Sequence, residues 1–332
     1  MKKITCISYH NSGSGAVDDL LKEFKGIQPT PDGVECRFLQ DPDGVSDLEF
    51  NLVDNWHRLN SGFAIKRFAV FSRFYNHTYS LVFGKNWKKY SEEYADSLTD
   101  FRYKGYWHGD IRLLPLYKRA IYKGRRGFSK IMPKKYRKST DYNYFPNIDY
   151  IHSKPTREEF YEKTQTFVEN LCNSIWDDKN EFLLLEQMIS TGNVSRYLNY
   201  VSDLKVILVD RDPRDLYVLG TWGKTHVLSH DVEQFIKQYL DFRQTAAEER
   251  KNKNLLYVQF EDLIYKYDET VDRITEFLGL DKSKHIAKKT IFKPEVSIKN
   301  TQSWKRIDGF SEQLKILDKH LSAYYYDFPE EG

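Results

Sequence analysis

The chain has 332 residues, of which 15% are aromatic and 30% charged, with 17 glycines and 10 prolines. These proportions exclude a disordered or collagen-like polymer and suit one large domain or two small ones. Net charge is only +3, yet residues 118–138 hold ten Lys/Arg and no Asp or Glu, a basic block that needs water or an acidic partner.

Cys6, Cys36 and Cys172 are widely spaced and give neither a disulfide framework nor a C-x-x-C pair, which suits a reducing, cytoplasmic setting. Mean hydropathy is -0.67. The apolar stretch after Met1-Lys2-Lys3 is too short for a signal-peptide core, and no run approaches the ~18 apolar residues of a membrane span.

In chain order, residues 4–9 predict a first strand and Asn11-Ser12-Gly13-Ser14-Gly15 a tight turn. Val17, Leu20, Leu21 and Phe24 then recur at helical spacing. Strand, glycine turn and helix are the opening of an α/β fold. Residues 34–39 read as a second short strand, stopped by the turn Asp41-Pro42-Asp43-Gly44. Residues 46–83 read mostly as helix. The aromatic, basic stretch 85–150 breaks the alternation, and about 60–150 are taken as a largely helical insertion. The alternation resumes at Pro155-Thr156-x-x-Glu159, a capping box heading a helix with Phe160, Val168, Leu171 and Ile175 on one face.

Residues 182–185, 205–209 and 255–260 are unbroken apolar runs, as in strands buried on both faces of a helix-covered parallel sheet. Val271, Ile274, Phe277 and Leu278 with Gly279 at C′ predict a late helix, and Ser311 the cap of the last. The expected fold class is α/β, a three-layer α/β/α arrangement around a central parallel sheet.

A glycine turn between strand and helix lets backbone N–H groups converge on an anion, and the helix N-terminus adds partial positive charge. Ser12 and Ser14 can donate there too, although the same pattern also makes an ordinary loop. The Walker pattern is absent, which disfavours an ordinary P-loop kinase. The run Lys205-Val-Ile-Leu-Val209 leads into Asp210-Arg211-Asp212-Pro213-Arg214-Asp215 at a strand's carboxyl end, where ligands of open α/β sheets bind. Arg211 can fork onto a phosphate, Pro213 starts the next helix, and Arg214 and Asp215 are placed to pair on its first turn. The alternative is a solvated strand-to-helix loop. His226 and His230 stand at i,i+4 without an evident third metal ligand.

Taken in order, S-G-S-G after the first strand, K-V-I-L-V-D-R-D-P-R-D-L in mid-chain, L-L-Y-V-Q-F-E-D-L followed by I-T-E-F-L-G-L, and Ser303-Trp304-Lys305 resemble the sulfotransferases that use 3′-phosphoadenylyl sulfate, PAPS. The resemblance covers most of the chain outside residues 60–150. It implies a single domain over 1–332 with a P-loop nucleotide-kinase-like sheet, PAPS as co-substrate and no metal. By position it assigns Asn11, Ser12, Gly13, Ser14 and Gly15 to the donor's 5′-phosphosulfate and Arg211 to its 3′-phosphate. Trp304 and Lys305 fall in the carboxyl-terminal segment that approaches the donor. Asn11 stands where family members commonly carry Lys, and Leu219 where they carry Ser; Thr221 is a nearby hydroxyl that can substitute.

Sulfuryl transfer to a hydroxyl needs a base for the acceptor's proton. Glu35-Cys-Arg-Phe38-Leu39 resembles the E-x-x-F-F strand that carries the base of heparan-type carbohydrate sulfotransferases. Glu186 ends a predicted strand about where the cytosolic enzymes have their base histidine. His57 and His108 are further candidates. The Glu35 resemblance points to a carbohydrate or glycolipid acceptor, bound by the insertion. Tyr117, Tyr122, Phe128 and Tyr136 interleave the basic block, and Trp87, Tyr103, Tyr106 and Trp107 offer rings that suit sugar faces. The block at 118–138 fits an anionic acceptor or a peripheral membrane contact, and no nucleic-acid signature accompanies it. Two other readings stay open. Asp41 and Asp43 have the D-x-D form of metal-dependent glycosyltransferases, though D-P-D-G is also an ordinary turn. With Asn11 in place of lysine, a basic binding protein of the same fold without turnover is the other.

Overall fold

The computed structural model describes residues 1–105, 107–133, 135, 148–223, 225 and 227–329, the side chains of His108 and Ser129 excepted. Tyr106, Lys134, Tyr136, Arg137, Lys138 and His226, and the His108 side chain, therefore lie outside the described residues. Strand β1 (Lys2–Ser8) leads into α1 (Ser14–Leu21), β2 (Ile27–Pro29), α2 (Val45–Glu49), α3 (Asn60–Phe74), α4 (Asn76–Phe83) and α5 (Asn86–Ser97). Then come β3 (Phe101–Lys104), α6 (Leu116–Ile131), β4 (Asp149–His152) and α7 (Arg157–Asn173). The chain continues through β5 (Phe182–Leu184), α8 (Val194–Tyr197), β6 (Leu204–Asp210), α9 (Pro213–Thr221), α10 (Val232–Thr245) and β7 (Leu255–Gln259). It ends with α11 (Asp262–Tyr265), α12 (Tyr267–Leu278), α13 (Pro294–Ser297) and α14 (Ser311–Leu321).

Two compact units divide these elements, Met1–Arg37 with Trp176–Gly332, and Phe38–Ile175. The first unit holds the central parallel sheet expected from the apolar runs, in the order β2-β5-β1-β6-β7. In register, Ile4 faces Leu184, Ser8 faces Val209, and Asp210 faces Gln259. β1 is buried from Lys3 to Ile7 and β6 everywhere except Lys205, so both sheet faces are covered by helices. Ile4 and Cys6 pack with Val17, Leu20 and Leu21 of α1, Ile207, Val258 and Ile274 in one core cluster. Gly279 ends α12 in the left-handed region at φ 68°, as its C′ position requires. Ser311, in contrast, does not cap α14: Phe310 holds the N-cap position and no side chain bonds there.

The strand expected at 34–39 does not form. The edge strand is β2 at 27–29, and residues 37–39 make a single 3₁₀ turn. The misleading signal was an alternation of burial: Val34, Cys36 and Phe38 are buried while Glu35 is exposed. An extended segment can alternate without building a ladder, and the backbone bond from Cys36 N–H to Glu186 O does not extend into one.

The second unit is helical around an aromatic cluster. Phe38, Tyr79, Phe83 and Phe167 surround Trp87, and Tyr94 stacks on Phe167 with centroids 4.6 Å apart. Buried indole and phenol groups need partners. Trp87 Nε1 donates to Ser72 O and the Tyr94 hydroxyl bonds Thr164 Oγ1. The capping box heads α7: Thr156 N–H donates to Glu159 Oε2 and Glu159 N–H to Thr156 Oγ1. β3 and β4 pair antiparallel.

In the first unit Glu23, fully buried just after α1, anchors the segment before α13. Its carboxylate accepts the N–H groups of Lys289, Ile291 and Phe292 and the Nε2 of His285 at 2.7 Å. Glu23→Ala strands these donors, so urea unfolding should show a loss of about 3 kcal/mol or more. A loss below ~1 kcal/mol would mean that water replaces the carboxylate.

Candidate functional site

The chain leaves β1 toward the β5 and β2 edge and leaves β6 toward β7, so the turns after these neighbouring strands stand at the sheet's topological switch point. His10, Asn11 and Gly13 all adopt left-handed backbone, at φ 43°, 58° and 105°. The buried Ser12 holds the turn in place: its Oγ accepts the Tyr9 N–H and donates to Val209 O at 2.6 Å. That hydroxyl is committed to the framework and leaves only the Ser12 backbone for a ligand. The N–H groups of Ser12, Gly13, Ser14 and Gly15 find no protein acceptor among the described residues. Ser14 Oγ lies 3.2 Å from Ser8 Oγ and accepts from Gln187 Nε2. Asn11 is exposed, and a Cβ at Gly15 would meet nothing within 4 Å.

Beside this turn, Arg211 is buried. One of its terminal nitrogens donates to Asn300 O, its guanidinium lies 4.9 Å from the Phe260 ring centroid, and its Nε has no hydrogen-bond partner. The same ring limits Gly13, where a Cβ would come within 2.6 Å of Phe260 Cδ2. Phe260 thus joins the glycine turn to Arg211. Sequence reading took it as the end of an apolar run and as part of the L-L-Y-V-Q-F-E-D-L resemblance, with no role at the site, because both contacts are distant along the chain.

The aspartates of this segment serve the framework. Asp210 is paired with Arg243 and accepts from the Tyr257 hydroxyl and the Arg211 N–H. The expected Arg214–Asp215 pair does not form. Asp212, the α9 N-cap, binds Arg214 at 2.6 Å, and Asp215 instead accepts the N–H groups of Gln302 and Ser303. Trp304, which follows, is buried in a core cluster with Leu216, Phe310 and Leu317, its ring centroid 4.0 Å from the Arg214 guanidinium. Lys305 is exposed and lines a cleft of about 370 Å³ with Tyr265, Thr301, Gln302 and Arg306. Thr221 donates its hydroxyl to Tyr217 O within its own helix.

Glu35 and Glu186 come together. Glu35 lies in the extended segment, with a half-exposed side chain 3.3 Å from Arg37. Glu186 follows β5 and is partly buried; burial first, then the Glu35 charge, pushes its carboxyl above the ordinary range, against the pull of Lys22. Gln187 beside it is held at φ 52°, a strained conformation for a residue with a side chain. Asp18 of α1, which sequence reading missed, joins them. It is 3% exposed, and neither oxygen has a hydrogen bond of ordinary geometry, although the Cys6 thiol and the Glu186 carboxyl lie beside it. Burial and Glu186 push its carboxyl well up. No sequence signal marked it, since α1 also buries the polar Ser14.

In the second unit, Asp41 and Asp43 form the turn that the sequence also allowed. Gly44 N–H donates to Asp41 O, and the Asp43 carboxylate pairs with Arg67 at 3.1 Å. The side chain of His57 is exposed on a turn, and His230, back in the first unit, has its Nε2 3.3 Å from Thr225 O. Among the described residues no group of three or more His, Cys, Asp or Glu is placed to hold a metal ion. Trp87 is entirely buried and so offers no ring to a sugar, whereas Tyr103 is exposed and stacks on Tyr150. A cleft of about 560 Å³ in this unit is lined by Lys66, Arg73, Asn76, Lys88, Glu92 and Arg102, among others.

Glu261 adds a pH dependence to the first unit. It is fully buried; Oε1 accepts the Asp212 N–H and Oε2 has no partner. Burial pushes its carboxyl up to about 8, against the bonds from backbone N–H groups and the Arg211 charge. Because the folded chain holds this proton more tightly than the unfolded chain, stability from this group falls as pH rises from about 4.5 to about 8. Glu261→Gln should flatten that fall in urea unfolding at pH 5 and pH 8. An unchanged slope would show that Glu261 titrates normally.

The sulfotransferase domain family matches residues 137–308, just over half of the chain. None of the curated proteins compared matches it significantly. Among solved structures, the sulfotransferase domain of the Synechococcus PCC 7002 olefin synthase is similar at 12% identity, over 99% of this chain and 95% of that one, with a TM-score of 0.42. Sulfotransferase STF9 from Mycobacterium avium is 11% identical over 100% and 78%, with a TM-score of 0.39. Retinol dehydratase, in complex with androsterone and the inactive cofactor PAP, is 11% identical over 100% and 83%, with a TM-score of 0.34. With a central five-stranded parallel sheet and this domain match, the chain belongs to the sulfotransferase family and is an enzyme of sulfuryl transfer.

Proposed function

We propose that the enzyme carries the sulfuryl group of PAPS, the donor its family uses, to a hydroxyl of a carbohydrate or glycolipid. The observation that carries the donor reading is the row of acceptor-free N–H groups from Ser12 to Gly15, beside an arginine whose Nε is unpartnered. The turn receives the 5′-phosphosulfate at a helix N-terminus, and Arg211, braced on Phe260, receives the 3′-phosphate. The exposed Asn11 side-chain amide supplies a neutral donor where relatives place a lysine.

In the transfer, the acceptor oxygen forms a bond to sulfur while the bond from sulfur to the 5′-phosphate oxygen breaks. The electron pair leaves with adenosine 3′,5′-bisphosphate, and the hydroxyl proton passes to a carboxylate. Glu186 is the base we assign. Its partial burial raises its basicity, whereas Glu35 is exposed and ion-paired and acts on Glu186 through its charge.

The acceptor class is supported by the likeness in sequence of Glu35-Cys-Arg-Phe38-Leu39 to the carbohydrate enzymes' E-x-x-F-F segment, with Glu35 standing beside the base we assign instead of serving as it. The unit 38–175 is the acceptor-binding part, supported by a cleft whose lysines, arginines, amide and carboxylates suit a hydroxyl-rich ligand. The three cysteines are buried and none is in a disulfide among the described residues, which suits a reducing, cytoplasmic setting.

Calorimetry tests the donor site. Arg211→Ala should weaken adenosine 3′,5′-bisphosphate by roughly 1.5 to 3 kcal/mol and adenosine 5′-phosphate little, since only the former carries the 3′-phosphate. Equal losses for both nucleotides would remove Arg211 from that role.

For the base, Glu186→Gln should lower kcat about a hundredfold with donor affinity preserved. Glu35→Gln should keep most activity but move the acid limb of the kcat profile to lower pH, because a negative neighbour that raises the Glu186 carboxyl has gone. Collapse of turnover in Glu35→Gln beside near-normal Glu186→Gln would exchange the two roles.

A further inference from the structure

Helix α6, Leu116–Ile131, carries an apolar stripe left open to solvent. At the helical repeat Tyr117, Ile121, Phe128 and Ile131 fall on one face, with Gly124 between them. These four side chains are 62%, 51%, 67% and 83% exposed, and a Cβ at Gly124 or Gly127 would meet nothing within 4 Å. Tyr122, on the other side of the helix, is buried. Lys118, Lys123 and Arg125 are exposed flanking the stripe, and the sequence holds no acid from residue 111 to residue 140. A soluble surface rarely leaves large apolar side chains contiguous in this way, and doing so forgoes burial that each could have.

We propose that α6 lies flat on an anionic lipid bilayer, its stripe at the acyl boundary and its basic side chains among the headgroups. Both halves of the helix decide the occupant. An acidic polysaccharide would satisfy the charges and leave Phe128 and Ile131 in water. A second copy of this chain would cover the stripe but set like charges against each other. A bilayer meets both requirements, since apolar side chains sink ~5–10 Å and each nearby Lys or Arg is drawn to an anionic surface. With 16 residues the helix reaches about 24 Å, and among the described residues no helix is long and apolar enough to cross a membrane, so this contact is peripheral. The proposal does not depend on which acceptor is sulfated.

Vesicle co-sedimentation tests it with the full-length enzyme. The enzyme should pellet with phosphatidylcholine vesicles containing roughly one third phosphatidylserine, much less with phosphatidylcholine alone, and should be released by about 0.5 M salt. The double variant Ile121→Glu, Phe128→Glu should bind the anionic vesicles about tenfold less or weaker still, while its far-UV circular dichroism and cooperative thermal unfolding match wild type and report an intact fold. Three results would overturn the proposal: no pelleting with anionic vesicles, pelleting of the folded double variant equal to wild type, or a wild-type dimer that the variant dissociates.

Discussion

The Ser12 hydroxyl takes the Tyr9 N–H and gives its own proton to Val209 O, so the turn after β1 is fastened to the neighbouring strand instead of closing on itself. Both bonds are buried, where a hydroxyl left without partners costs most. The consequence lies in what remains. With the side chain turned inward and the backbone left-handed at His10, Asn11 and Gly13, the following N–H groups have no acceptor of their own. Phe260 closes the other side: its ring sits where a Gly13 Cβ would be and also under the Arg211 guanidinium. Two segments almost two hundred residues apart are thus set in register by one hydroxyl and one ring.

Charge around this site is arranged by the same logic. A buried carboxylate is tolerated when paired, and Asp210, Asp212 and Asp215 are each bound by arginine or backbone N–H groups. Unpaired, they would repel a donor carrying several phosphate charges. The pairing leaves Arg211 with an unused Nε among these acids, and the local field stays hospitable to an anion.

How far the sequence reveals this follows from how local each signal is. The parallel strands were legible because burial on both faces makes unbroken apolar runs, as in β6. The capping box of α7 was legible because all its partners lie within four residues. The strand expected at 34–39 failed because burial alternation looks the same with or without a neighbouring strand to bond. Trp87 looked available to a sugar, but its position depends on Ser72, Tyr79 and Phe167, which no short window contains. Glu35, Glu186 and the donor turn could be named from motifs. The roles of Asp18 and Phe260 could not, although Phe260 lies within a quoted motif, since they come only from what folding brings beside them.

Asp18, Glu186 and Glu35 together pose an energetic question. Burying carboxyls near one another costs stability, and Lys22, the cation that draws the Glu186 carboxyl down, has its own hydrogen bonds to Asp19 and Asp32. A sequence selected for stability alone would replace Asp18 with an apolar residue to join Leu20 and Leu21. Instead the chain keeps an acid with unbonded oxygens next to a carboxyl raised by burial, and holds Gln187 in a strained conformation between that carboxyl and Ser14 of the donor turn. Strain and unsatisfied charge concentrate where a protein's chemistry needs them. On the assignment proposed above they lie where a proton would leave the acceptor hydroxyl, and there burial and the Glu35 charge, not Asp18, raise the Glu186 carboxyl.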